Sequence, residues 1–238
     1  METNIKNEVF NPIHIEFYGL PGCGKSTISH KVAEQLRLQG INVCEPSFVY
    51  DHKKSFIYRK IYKLFSTIFF FFTNYNDYRF LRHLTKENGY TKFKESMKQI
   101  INIVPKVNCY NNNDNNKNIY LWDEGLVQSA ISLALNNDKD IKCIERQLYS
   151  IISNRRIIKI YLRTDVKTAL DRMDKRNTND SRIEQEIDKE KKMAMMKRFE
   201  DCCENVDRCY LIKEHNIDKT VNMITELIER TYFGGVNQ

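Results

Sequence analysis

The chain has 238 residues, 41% hydrophobic and 29% charged, with a formal net charge of +7. That is enough for one sizeable core, and nothing in it requires a second domain. Seven cysteines, an odd count without repeated spacing, speak against a disulfide framework, and Cys202, Cys203 and Cys209 lack the paired spacing of a zinc site.

Met1 to Asn11 reads as a short polar lead rather than a secretion signal, which with the free thiols predicts a cytoplasmic protein. The segment His14 to Thr27 then reads as a strand, a glycine-rich loop and a helix start. Gly19, Gly24, Lys25 and Ser26 fit the spacing G-x-x-x-x-G-K-[ST], so Gly19, Leu20, Pro21, Gly22, Cys23, Gly24, Lys25, Ser26 and Thr27 are the candidate nucleotide-binding residues. Glycines let successive amides turn toward phosphate oxygens, and the following helix aims its positive end at the same anion. Lys25 supplies a point charge to the β- and γ-phosphates of ATP, and the Ser26 hydroxyl is a candidate Mg²⁺ ligand.

Ile28, Val32 and Leu36 predict a helix from Lys25 to Gln39, stopped by Gly40. Ile41 to Cys44 reads as a strand ending at Glu45-Pro46. Helices are expected near Tyr50 to Thr73 and Tyr75 to Ile103, and Asn108 to Asn118 reads as an asparagine-rich loop. A strand then ends abruptly at Asp123-Glu124-Gly125. Leu126 to Leu135 and Ile141 to Ser153 are expected helices, and Ile157 to Leu162 a buried strand. After these come a helix from Val166 to Lys175, a polar stretch from Arg176 to Arg182 and a long charged helix to Val206. A last strand, Cys209 to Ile212, and a helix, Asp218 to Arg230, complete the chain before a tail from 232. Strands alternating with helices predict an α/β fold, a five-stranded parallel sheet with helices on both faces. Its carboxyl edge would carry Gly19, Glu45 and Asp123.

Phosphoryl transfer needs held phosphates, a metal, a carboxylate and cations for the migrating group. Lys25 and Ser26 serve the donor, and Glu45 and Asp123 are strand-end carboxylates, Asp123 also a candidate metal ligand. Arg172, Arg176 and Arg182 bracket a candidate closing lid, residues 176–184. The plainer readings are a strand terminus for Glu45, a helix cap for Asp123 and solvated charge for Arg172 and Arg176.

The phrases EFYGLPGCGKST, NVCEP, IYLWDEG, IKIYLRTDVKTALDRMDKR and NTNDSRIE together resemble the thymidylate kinase and deoxyribonucleoside kinase group of P-loop kinases, over residues 14 to 231. The resemblance implies an ATP- and Mg²⁺-dependent kinase in which Glu45 takes the acceptor hydroxyl's proton. It departs at one place: the arginine that follows the third-strand acid in that group, and steadies the acceptor, is replaced here by Glu124. The acceptor, whether nucleoside, nucleotide or sugar-like metabolite, therefore does not carry over. A nucleotide-dependent regulatory ATPase or switch is the alternative from another class. A nucleic-acid end kinase would need a basic groove toward Asp123. The runs Lys53-Lys54, Arg155-Arg156 and Lys189 to Lys192 form no continuous basic stripe, so no nucleic-acid partner is expected. Leu64 to Tyr75, with Phe69 to Phe72, is too short to span a bilayer. It reads as a helix in the core or over the acceptor pocket, ahead of a membrane-surface contact or a homodimer interface.

Overall fold

The computed structural model describes residues 12–48, 55–112, 119–136, 139–152, 156–176, 182–213 and 216–233. Five strands, β1 (Ile13–Tyr18), β2 (Val43–Cys44), β3 (Ile119–Trp122), β4 (Arg156–Leu162) and β5 (Cys209–Ile212), form one sheet in the order β2-β3-β1-β4-β5. Every neighbouring pair is parallel, as expected of strands joined through helices. In the central strand β1 all six residues are buried, because β3 and β4 flank it and helices cover both its faces.

The helices are α1 (Lys25–Leu38), α2 (Phe56–Thr73), α3 (Tyr75–Glu87), α4 (Phe93–Asn111), α5 (Leu126–Ala134), α6 (Ile141–Tyr149), α7 (Val166–Arg176), α8 (Arg182–Gln185), α9 (Lys189–Glu204) and α10 (Ile217–Phe233). Ile28, Val32 and Leu36, one turn apart along α1, are buried, and Gly40 at φ +82° carries the chain out of the helix. On its outer side α1 meets α10 through a Lys31–Asp218 ion pair and a Gln35–Asn222 hydrogen bond, both 3.2 Å. The helix expected to end at Arg230 continues through Phe233, into the tail expected from 232.

Three differences from the sequence expectation have physical causes. The single helix expected over Tyr75 to Ile103 is two, because the backbone reverses at Gly89 (φ +86°) with bonds from Gly89 N to Lys86 O and from Tyr90 N to Thr85 O, each 3.1 Å. The asparagine-rich segment is not a loop throughout. Helix α4 runs through Pro105 to Asn111 because Tyr110, wholly buried, anchors its last turn beneath the sheet; residues 113–118 lie outside the described residues. The phenylalanine-rich helix is not a core helix: Phe70 and Thr67 are buried, whereas Phe69 and Phe72 are 67% and 76% exposed. It packs on α3 and α4 and presents an apolar face outward. Among the described residues no helix is long and apolar enough to cross a membrane. All seven cysteines are free thiols.

Candidate active site

The loop between β1 and α1 turns on glycine. Gly22 has φ +88°, and a Cβ there would run into the carbonyl of Ala169 on α7, so this position tolerates no side chain on either count. Gly24, at φ +96°, is the N-cap of α1 and offers no side-chain cap, which leaves the amides of the first turn without a side-chain acceptor. No acidic residue occupies that turn. A helix start of this kind holds an anion. Lys25 is 8% exposed, and its ammonium folds back onto the loop, donating to the carbonyls of Gly19 at 3.0 Å and Leu20 at 3.1 Å.

Tertiary structure joins the loop to the end of β3. The Ser26 hydroxyl donates to Asp123 Oδ2 at 2.6 Å across a separation of 97 residues. Asp123 is 8% exposed, and its second oxygen, Oδ1, is buried with no hydrogen-bond partner among the described residues. An orphaned carboxylate oxygen beside a loop hydroxyl is an oxygen donor set that fits Mg²⁺ completing its shell with phosphate and water. Among the described residues no cluster of three or more His, Cys, Asp or Glu side chains forms a cage for a metal.

Glu45 stands at the end of β2, 3% exposed, and is held from α1: Arg37 Nη2 lies 2.7 Å from Oε2 and His30 Nδ1 lies 3.0 Å from Oε1. The His30 ring stacks on Phe48, with centroids 3.9 Å apart, and so keeps that nitrogen turned inward. Arg172 is exposed on α7. The side chains of Arg176 and Arg182, and residues 177–181 of the expected lid, lie outside the described residues.

Beside Lys25 opens a cleft of about 880 Å³. Pro21 and Lys25 form its loop end; Lys63 of α2, Lys98, Asn102 and Lys106 of α4, and Gln128 and Ser129 of α5 line its flanks. Met195, Arg198 and Phe199 of α9 close the far side with Ile183 of α8, which is buried and seats that short helix over the cleft. Glu124 is exposed at the cleft wall, while Glu45 and Arg172 are not among the lining residues. The structure thus brings Lys25, Ser26 and Asp123 together and sets Glu45 at the same sheet edge in a separate ionic cluster.

Sequence reasoning missed two residues. Glu16, in the middle of β1, is wholly buried, and its carboxylate accepts from the Tyr110 hydroxyl, from Val127 N at 2.7 Å and from the Tyr149 hydroxyl at 2.9 Å. Burial pushes its pKa up, against the pull of those donors and of Lys106. It ties α4, α5 and α6 to the central strand, and it explains Gly125, where a Cβ would collide with the Glu16 carboxylate. A polar residue in the middle of an apolar strand was the available signal. The second is Lys106, whose ammonium donates to the Gly125 carbonyl at 3.2 Å and to the Ser129 hydroxyl at 2.9 Å. Burial lowers its pKa, with Glu124 and then Glu16 drawing it back up. In the sequence it was only one more lysine, between the helix expected to end at Ile103 and the asparagine-rich segment.

A parallel sheet in the order β2-β3-β1-β4-β5, a glycine-rich loop after β1 and a carboxylate after β3 bonded to Ser26 at the start of α1 give the fold of the P-loop kinases. Within that class the fold is that of the P-loop deoxyribonucleoside kinases. The chain is similar to deoxyadenosine kinase from M. mycoides in a structure with the products dCMP and a flexible dCDP bound, at 19% identity and TM-score 0.52, covering 92% of this chain and 99% of that one. It is equally similar to the same enzyme with bound dATP, at 18% identity and TM-score 0.51, covering 91% and 98%. No family model matches the chain, and no curated protein matches it.

Proposed function

We propose that this protein is an ATP- and Mg²⁺-dependent kinase that transfers the γ-phosphoryl group of ATP to a small-molecule acceptor of nucleoside or nucleotide type. The observation that carries the reading is the meeting of the Lys25 loop, the Ser26–Asp123 pair and a large cleft at one sheet edge. The neighbours' bound dATP and dCMP support the nucleoside class of acceptor.

In this reading the loop amides and Lys25 take the β- and γ-phosphates, because charged phosphate oxygens outcompete the carbonyls of Gly19 and Leu20 for the ammonium. Ser26 and Asp123 hold Mg²⁺, which when bound neutralises charge on the phosphates. The acceptor's hydroxyl oxygen bonds to the γ-phosphorus as the bond from that phosphorus to the β-bridging oxygen breaks, and ADP leaves. The hydroxyl proton passes to Glu45, which Arg37 and His30 hold in place; this requires the acceptor to reach the β2 end of the edge. Arg172, Arg176 and Arg182 are the proposed lid cations for the group in flight, and closure excludes the water that would otherwise hydrolyse ATP.

The test is ADP release measured against a panel of nucleosides, nucleoside monophosphates and sugars. Release that depends on an acceptor, and that Lys25→Ala abolishes without loss of the folded circular-dichroism signature, is expected. ADP release at the same rate with and without every acceptor would overturn the reading in favour of a regulatory ATPase.

A further inference from the structure

Lys106 brings a buried ammonium to the lining of the cleft. Its ammonium sits at the first turn of α5, whose N-cap is Gly125, so it faces the positive end of the helix dipole. Both its hydrogen-bond acceptors, a carbonyl and a hydroxyl, are neutral, while the carboxylates of Glu124 and Glu16 favour its charge through space. Two of the ammonium's three donors are used there. On the same cleft wall Gln128, 9% exposed, holds its Oε1 buried with no hydrogen-bond partner among the described residues. A nine-tenths buried amide oxygen left orphaned in the same cleft lining as a spare ammonium donor marks a place built for a ligand with a hydroxyl and an electron-rich oxygen.

We propose that Lys106 and Gln128 form the acceptor-holding end of the cleft. Lys106 donates to an oxygen of the acceptor, and Gln128 accepts from a hydroxyl of the same molecule. The inference rests on the kinase reading and adds to it the residues that hold the acceptor.

The experiment is steady-state kinetics on the full chain, using whichever nucleoside or nucleoside monophosphate most stimulates ADP release, beside calorimetry with a non-hydrolysable ATP analogue. Lys106→Met and Gln128→Leu should each raise the acceptor KM by about 10- to 100-fold while the analogue's Kd stays within about twofold, and Lys106→Arg should recover most of the loss. Lys106→Met with a normal acceptor KM and only a lower Tm would make the lysine a clamp on α5, overturning the proposal and leaving the kinase reading standing. Should Lys106→Met fail to fold, an unchanged acceptor KM in Gln128→Leu overturns it equally. If no acceptor stimulates the wild type, the kinase reading and this proposal fall together.

Discussion

The hydroxyl of Ser26 is bonded to the carboxylate of Asp123, so the first turn of α1 and the end of β3 are one chemical unit although 97 residues separate them. Asp123→Asn keeps an oxygen for Ser26 but loses the charge a divalent ion needs. Turnover should fall by about 100-fold or more, with the Kd for an ATP analogue little changed. Calorimetry and single-turnover rates check this, and an effect confined to thermal stability would return Asp123 to the role of a helix cap.

Glu45 lies in a cluster with Arg37 and His30. If it receives the acceptor's proton, Glu45→Gln should lower kcat by about 100-fold while leaving nucleotide affinity intact. Wild-type kcat in this variant, with only a loosened β2 end by hydrogen exchange, would assign Glu45 to holding α1 against the sheet.

Gly125→Ala places a methyl group against the carboxylate of Glu16, which must then leave the Tyr110 and Tyr149 hydroxyls and Val127 N. A loss of about 3 kcal/mol is expected by chemical denaturation, since several buried donors are orphaned together. Glu16→Ala should cost a similar amount by removing the acceptor itself, and the two losses should not add.

Burial pushes the Cys109 thiol from its ordinary value up to about 12 and holds the Tyr110 and Tyr149 hydroxyls well above theirs. In the folded protein these groups keep protons that the unfolded chain gives up above about pH 9 for the thiol and about pH 10 for the phenols. Their contribution is therefore intact below pH 9 and is lost as the pH rises through the folded values. Each group accounts for up to about 1.4 kcal/mol per pH unit in its window. Denaturation midpoints measured at about pH 8 and about pH 10.5 should fall steeply between the two, and alkylation at the lower pH should spare Cys109 while modifying the exposed Cys143.

The glycine-rich loop was legible because its requirements are local. Gly22 needs a positive φ, Lys25 and Ser26 must follow at fixed spacing, and Ile28, Val32 and Leu36 repeat once per turn. Asp123 was legible for a related reason, as a carboxylate ending an apolar strand. The aromatic stripe of α2 was not, because apolar spacing marks a helix face without saying whether anything covers it. Phe69 and Phe72 point outward because α3 and α4 already fill the inner side, where Phe70 sits.

Sequence alone determined the glycine-rich loop, the alternation that makes a parallel sheet and the carboxylates at its edge, since each depends on neighbours within a few residues. Tertiary structure alone decided that Ser26 faces Asp123, that Arg37 and His30 hold Glu45, and that Lys106 and Gln128 share one wall of the cleft. It also decided that Tyr110 ends α4 on Glu16 rather than lying in a loop. Those pairings join residues far apart in the chain, and only the burial of a common core brings them within reach of one another.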